Sequence, residues 1–151
     1  MAADALRKGK NVLYLVPEIA LSKQLTDRVG EHFGERLLTY NSGESETSRR
    51  AIAEAVRNAG KISNPGSNPG SGKPDNKTSY TTGSQNQDNY IVLGTRSSLF
   101  LPHNNLGLII VDEEHDSSYK QDSPAPRYNG RDTALMLSVI HNCGIILGSA
   151  T

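Results

Sequence analysis

Leu106-Gly-Leu-Ile-Ile-Val111, followed at once by Asp112-Glu113-Glu114-His115, is the stretch whose reading decides the fold. An apolar run without polar alternation and rich in β-branched residues describes a strand buried on both faces, as in a parallel sheet covered by helices. Working outward, Asn11 to Val16 reads the same way and ends at Pro17. Gly144 to Leu147 is a third such run, Ile91 to Leu93 a shorter fourth and Arg36 to Tyr40 a fifth. Helical patterns fall between them. Ile19 to Phe33 spaces Leu21, Leu25, Val29 and Phe33 four apart, one apolar stripe. Ser45 to Ala59 opens on a capping residue, carries Ile52, Ala55, Val56 and Ala59, and meets Gly60. Arg131 to Asn142 follows Asn129 as cap and carries the pairs Leu135/Val139 and Met136/Ile140. Strand and helix in alternation predict an α/β domain with a mostly parallel sheet flanked by helices. Periodicity says nothing about strand order.

Sheets of this class bind ligands beyond the carboxyl ends of their strands, so the residues just after each apolar run carry the functional information. They are Pro17-Glu18, Gly94-Thr95-Arg96-Ser97, Asp112-Glu113-Glu114-His115 and Gly148-Ser149-Ala150-Thr151. The acidic tip is the sharpest of the four. A carboxylate directly after a buried strand suits Mg²⁺, a hard ion that keeps several waters, and Asp112 is expected to hold it through water. A neighbouring carboxylate can orient and deprotonate a water for attack on a terminal phosphate, the role expected of Glu113. The bland alternative is an acidic loop that only solubilises a strand end. Zinc held by His103, His115 and the carboxylates ranks low, because the helical i, i+4 histidine spacing is missing. Thr95, Arg96 and Ser97 offer hydroxyls and a guanidinium to phosphates or to a nucleic-acid backbone, or else they form a simple turn. Gly148, Ser149 and Thr151 permit close backbone approach and hydrogen bonds to phosphate or to a neighbouring tip. Tyr119-Lys120-Gln121 and Pro124-Ala-Pro-Arg127-Tyr128 mix aromatics with cations. Such a loop either stacks on unpaired bases or packs its tyrosines against the domain edge.

The whole chain has 151 residues, enough for one domain. Its 16 basic and 16 acidic side chains balance, which excludes nucleic-acid binding by gross charge alone but not a local groove. Cys143 is the only cysteine, so neither an intrachain disulfide nor a cysteine-built zinc cage can form. No apolar run approaches the roughly 18 residues of a membrane span, and Met1 to Lys10 lacks the apolar segment of a signal peptide. A cytoplasmic protein without a membrane partner is expected. Residues 62–89 contain only Ile62 and Tyr80 as apolar side chains and repeat Asn-Pro-Gly-Ser. A disordered polar loop inserted into the domain is expected there, at a closure cost that grows slowly with length. Gly70-Ser71-Gly72-Lys73 inside it imitates a phosphate loop. Ser67 stands where the first glycine belongs, Pro74 where a hydroxyl should be.

In this order the tips resemble the primosomal protein N′ family, the PriA replication-restart helicases. The resemblance rests on Leu15 to Leu21, Gly94 to Phe100, Leu106 to Asp116, Ser118 to Gln121, Pro126 to Asp132 and Leu147 to Thr151. It implies part of the N-terminal RecA-like (P-loop NTPase) lobe of a superfamily-two DNA helicase, spanning residues 1–151. Such an enzyme moves 3′ to 5′ on forked or single-stranded DNA with ATP and Mg²⁺, beside other primosome proteins and single-strand-binding protein. By the same resemblance Asp112 and Glu113 form the Walker B pair, and His115 links nucleotide to DNA. Pro17, Glu18, Thr95, Arg96 and Ser97 contact a strand; Gly148, Ser149 and Thr151 couple hydrolysis to translocation. Tyr119, Lys120, Arg127 and Tyr128 belong to an aromatic-rich loop that senses single strands. The family's Walker A strand and loop, second lobe, zinc-binding cysteines and N-terminal DNA-binding domain have no counterpart in this sequence. The chain alone is therefore expected to be inactive, with zinc confined to the missing C-terminal part. A noncatalytic DNA- or partner-binding module and another superfamily-two translocase are the alternatives. Ser118-Tyr-Lys-Gln121 and Pro126-Arg-Tyr128 argue against the latter.

Overall fold

The apolar runs become neighbouring strands because each has too little polar surface to face water. In the computed structural model, which describes residues 1–59 and 89–149, β1 (Asn11–Leu15), β2 (Leu37–Tyr40), β3 (Ile91–Gly94) and β4 (Leu106–Val111) join a last strand, Gly144–Leu147. That last strand is β7 in chain order. The five pair in the order β2-β3-β1-β4-β7, all parallel. Two further short strands, β5 (Lys120–Gln121) and β6 (Tyr128–Asn129), form a separate antiparallel pair. The mostly parallel sheet flanked by helices is the one the sequence predicts.

Helices α1 (Ala2–Arg7) and α2 (Lys23–Phe33) serve one face of the sheet, α3 (Glu46–Asn58) and α4 (Gly130–His141) the other. Leu6, Val12, Ile91 and Leu108 build the core under α1 and α2, joined at its margin by Tyr14, Phe33, Ile110 and Ile146. The larger core lies opposite, where Leu13, Leu15, Val92, Ile109 and Val111 meet Val56, Leu99, Tyr119 and Ala134. Alternate residues of β1 and β4 thus point into two different cores, which is why these strands show no polar face. Burying each such aliphatic side chain contributes roughly 1.5–3 kcal/mol, so the three central strands anchor the domain.

Several boundaries differ from the expected ones for local reasons. Helix α2 starts at Lys23, not Ile19, because Ser22 stays extended and its Oγ accepts from the Leu25 amide at 3.2 Å. Residues 18–20 form a turn closed by Ala20 N to Pro17 O, leaving Ile19 97% exposed. Arg36 belongs to a 3₁₀ turn, and β2 begins one residue later. The apolar pairs expected to bury α4 do not: Met136, Val139 and Ile140 face solvent, while Gly130, Ala134 and Ser138 are buried. Small residues let α4 approach the sheet closely, with Leu137 packed at the margin of the same core. Asn129 Oδ1 accepts from the Arg131 and Asp132 amides, the cap the sequence predicts. Of the expected disordered insertion 62–89, all but Asn89 lies outside the described residues, as do Gly60 and the false phosphate loop. Asn89 itself is anchored, its Nδ2 donating to Leu6 O at 3.1 Å.

Candidate functional site

Parallel pairing sends every strand's carboxyl end to the same edge, and that edge gathers the tips. Val16 N donates to Gly94 O, Asp112 N to Leu15 O, and Gly148 N to Val111 O. Pro17-Glu18, Gly94 to Ser97, Asp112 to His115 and Gly148-Ser149 therefore share one rim of the sheet. Ala150 and Thr151 lie outside the described residues.

Asp112 is the most tightly held of them. Its Oδ2 accepts from the Tyr14 hydroxyl at 3.1 Å, and its Oδ1 from the Glu113 amide at 3.1 Å. Its carbonyl accepts from the Tyr119 hydroxyl at 2.7 Å. A Cβ on Gly148 would stand 3.3 Å from Asp112 Oδ1, so the glycine leaves room for the carboxylate. Burial, then the Asp112 charge, pushes the Tyr14 phenol up to about 12. The Tyr119 phenol is pushed up further for the same two reasons. Both phenols stay protonated donors at neutral pH.

Glu113 takes φ +47°, which reverses the chain after β4. The turn is sewn down by Glu114 N to Gly148 O at 2.9 Å and Asp116 N to Glu113 O at 2.8 Å. His115 lies between the two tips, Nε2 at 3.6 Å from Glu113 Oε2 and Nδ1 at 3.3 Å from Ser149 Oγ. Glu114 Oε2 meets Arg131 Nε at 2.6 Å, tying the turn to the first turn of α4. Sequence reasoning missed Tyr14 and Arg131. A lone hydroxyl-bearing residue two before Val16, inside an apolar run, was the available signal for Tyr14. For Arg131 there was none.

The residues expected to meet DNA separate into two groups. Glu18, Lys120 and Arg127 are exposed, and Ser97 and Tyr128 half-buried. Tyr119 is 1% exposed, so the base-stacking role expected of it is corrected: its ring fills the core and its hydroxyl anchors Asp112. Pro17 and Thr95 are also buried, with Thr95 Oγ1 turned to Ser97 Oγ, and neither offers a surface to a strand. Arg96 spends one terminal nitrogen, Nη1, on the carbonyls of Ser118 and Lys120 at 2.8 and 2.6 Å. It staples the β3 tip to the aromatic loop. The exposed aromatic beside that loop is Phe100, edge-on to Tyr128 with centroids 5.0 Å apart.

Among the described residues no group of three His, Cys, Asp or Glu could cage a metal, and His103 and His115 do not meet. The donor set suits an ion that takes one carboxylate and shares the rest of its shell with water and phosphates. That is the habit of Mg²⁺. No helix of the described residues is long and apolar enough to cross a membrane.

Residues 1–148 match the ResIII family, described as "Type III restriction enzyme, res subunit". The chain belongs to the ResIII family. Within this ResIII-type chain the similarity to curated proteins runs end to end. It is 40% identical over 151 residues to "Replication restart protein PriA" of Synechocystis, covering 100% of the chain and 15% of that protein. The PriA proteins of Rickettsia prowazekii and Helicobacter pylori strain J99 are 39% and 38% identical over 149 residues, 99% of the chain. The ResIII chain spans 15–19% of the length of these relatives.

Proposed function

We propose that this chain supplies the acidic half of the ATP site and part of the DNA track of a PriA-type replication-restart helicase. The observation that carries the reading is the convergence of four chemically distinct tips on one rim, with His115 placed between Glu113 and Ser149. Asp112, its carboxylate held at both oxygens, is the residue to hold Mg²⁺ through water. When bound, that ion neutralises phosphate charge as the terminal phosphoryl group leaves. Glu113 accepts the proton of the attacking water. Ser149 and His115 sense the change at the phosphate and pass it toward β7. Exposed Lys120 and Arg127 meet the phosphates of a DNA strand, and Tyr128 presents an aromatic edge to its bases. ATP and Mg²⁺ are the proposed cofactors, and forked or single-stranded DNA the substrate. Primosome proteins and single-strand-binding protein are the proposed partners, in the cytoplasm. End-to-end identity to restart proteins favours this reading over a restriction-type translocase.

The test is Glu113→Gln in the intact protein. ATP binding should persist while DNA-stimulated hydrolysis falls by at least about a hundredfold, the usual worth of a positioned base. Hydrolysis at the wild-type rate would remove Glu113 from the mechanism.

A further inference from the structure

The Asp112 carboxylate is oriented from β1, the strand beside it, by a residue the sequence hides in an apolar run. Tyr14 pairs in register with Ile110, and Asp112 follows two residues later, so both side chains project from the same face of the sheet. That face is the α1/α2 side, where the Tyr14 ring joins Ile110 and Ile146 at the core margin. From this fixed platform the hydroxyl reaches Asp112 Oδ2 at 3.1 Å. The opposite core sends Tyr119 to the Asp112 carbonyl at 2.7 Å. Asp112 is thus pinned from both faces, its backbone by one phenol and its carboxylate by the other. Glu113 N holds the second carboxylate oxygen at 3.1 Å, leaving little rotational freedom.

We infer that Tyr14 is a positioning residue for the metal-holding carboxylate. It donates one hydrogen bond that fixes the Asp112 rotamer, and each carboxylate oxygen keeps lone-pair capacity for a water of the Mg²⁺ shell. Without the bond the Glu113 amide alone restrains the carboxylate, and the remaining ordering weakens metal binding. The inference rests on the reading of Asp112 as the Mg²⁺ residue.

Tyr14→Phe keeps the ring and deletes the donor. In the intact protein, a fluorescent non-hydrolysable ATP analogue is titrated with Mg²⁺ and, separately, in EDTA, and thermal melting is recorded. The variant is expected to melt within about 3 °C of the parent and to bind the analogue in EDTA as the parent does. The Mg²⁺-dependent gain in affinity should shrink by about three- to tenfold, the net worth of one ordinary hydrogen bond. The Mg²⁺ concentration for half-maximal hydrolysis should rise by the same factor. A merely structural tyrosine would shift melting and both affinities together, and that result overturns the inference. So does a Mg²⁺ gain equal to the parent's. Asp112→Asn, measured alongside, separates the failures. If it too keeps the full Mg²⁺ gain, the metal role of Asp112 falls and takes the Tyr14 role with it. If it loses the gain while Tyr14→Phe does not, only the Tyr14 role falls.

Discussion

Glu113 occupies the left-handed region at φ +47°, where a side chain with a Cβ costs roughly 1–2 kcal/mol relative to ordinary backbone. Asn and Gly enter that region far more readily. Stability alone would favour one of them here, so the acid is kept at a conformational cost. Two substitutions separate charge from strain. Glu113→Gln keeps the strained β-carbon geometry, and its melting temperature should match the parent's. Glu113→Asn should melt about 2–4 °C higher, the shift expected of roughly 1 kcal/mol in a chain of this size. Both should lower hydrolysis in the intact protein by at least about a hundredfold. An Asn variant that melts below the Gln variant would show that the turn is not strained, because the contacts of the longer side chain then outweigh the backbone term.

Between β3 and β4 the chain is held by a buried polar junction. His103 Nε2 donates to Ser98 O at 2.8 Å, and its Nδ1 faces the Tyr90 hydroxyl at 3.5 Å. Asn104 Nδ2 donates to Ala59 O, linking the end of α3 to the approach to β4. Burial pushes His103 down to about 4, against the pull of the Ser98 carbonyl and helped by His141. The unfolded chain therefore takes up a proton near pH 6.5 that the folded chain refuses until about pH 4. Stability from this residue is full above pH 6.5 and is lost as pH falls toward 4, by up to about 3 kcal/mol. His103→Gln should lower stability at pH 7 and flatten the decline between pH 6.5 and 4 in chemical denaturation. An equally steep decline in the variant would place the acid sensitivity elsewhere. At this scale the sequence was legible where the driving force is local. The apolar runs of β1 and β4 and the Ser45 and Asn129 caps appear where periodicity and capping chemistry put them. It failed where a partner distant in sequence decides. The Tyr119 loop reads equally as base-stacking or as packed until the Asp112 carbonyl claims the Tyr119 hydroxyl, and nothing local announces that one nitrogen of Arg96, Nη1, goes to two carbonyls of the 118–120 segment. Met136, Val139 and Ile140 read as a buried stripe because their size outweighs, on paper, the smallness of Ala134 and Ser138.

Across the whole molecule, the strand ends at the rim were legible because an apolar run must stop somewhere, and in a parallel sheet every stop lands on the same side. Strand order was not, since β3 slides between β2 and β1 through contacts separated by dozens of residues. The polar stretch from 62 to 88 interrupts the sequence between α3 and β3, yet the residues flanking it are tied to one place. Ala59 O accepts from Asn104 Nδ2, the Asn104 amide reaches the Tyr90 hydroxyl, and Tyr90 N donates to Asn11 Oδ1. Among the described residues, 1–59 and 89–149 build two cores, one on each face of the sheet. Replacing residues 62–88 with about eight Gly and Ser residues should therefore leave the circular dichroism spectrum of the ordered elements intact. Shortening the loop about threefold lowers its closure cost by roughly 1 kcal/mol, so melting should hold or rise by about 2–4 °C. A fall of more than about 5 °C would mean that the stretch contributes packing the two cores do not reveal. In that case the domain would have to be regarded as built with the insertion, not around it.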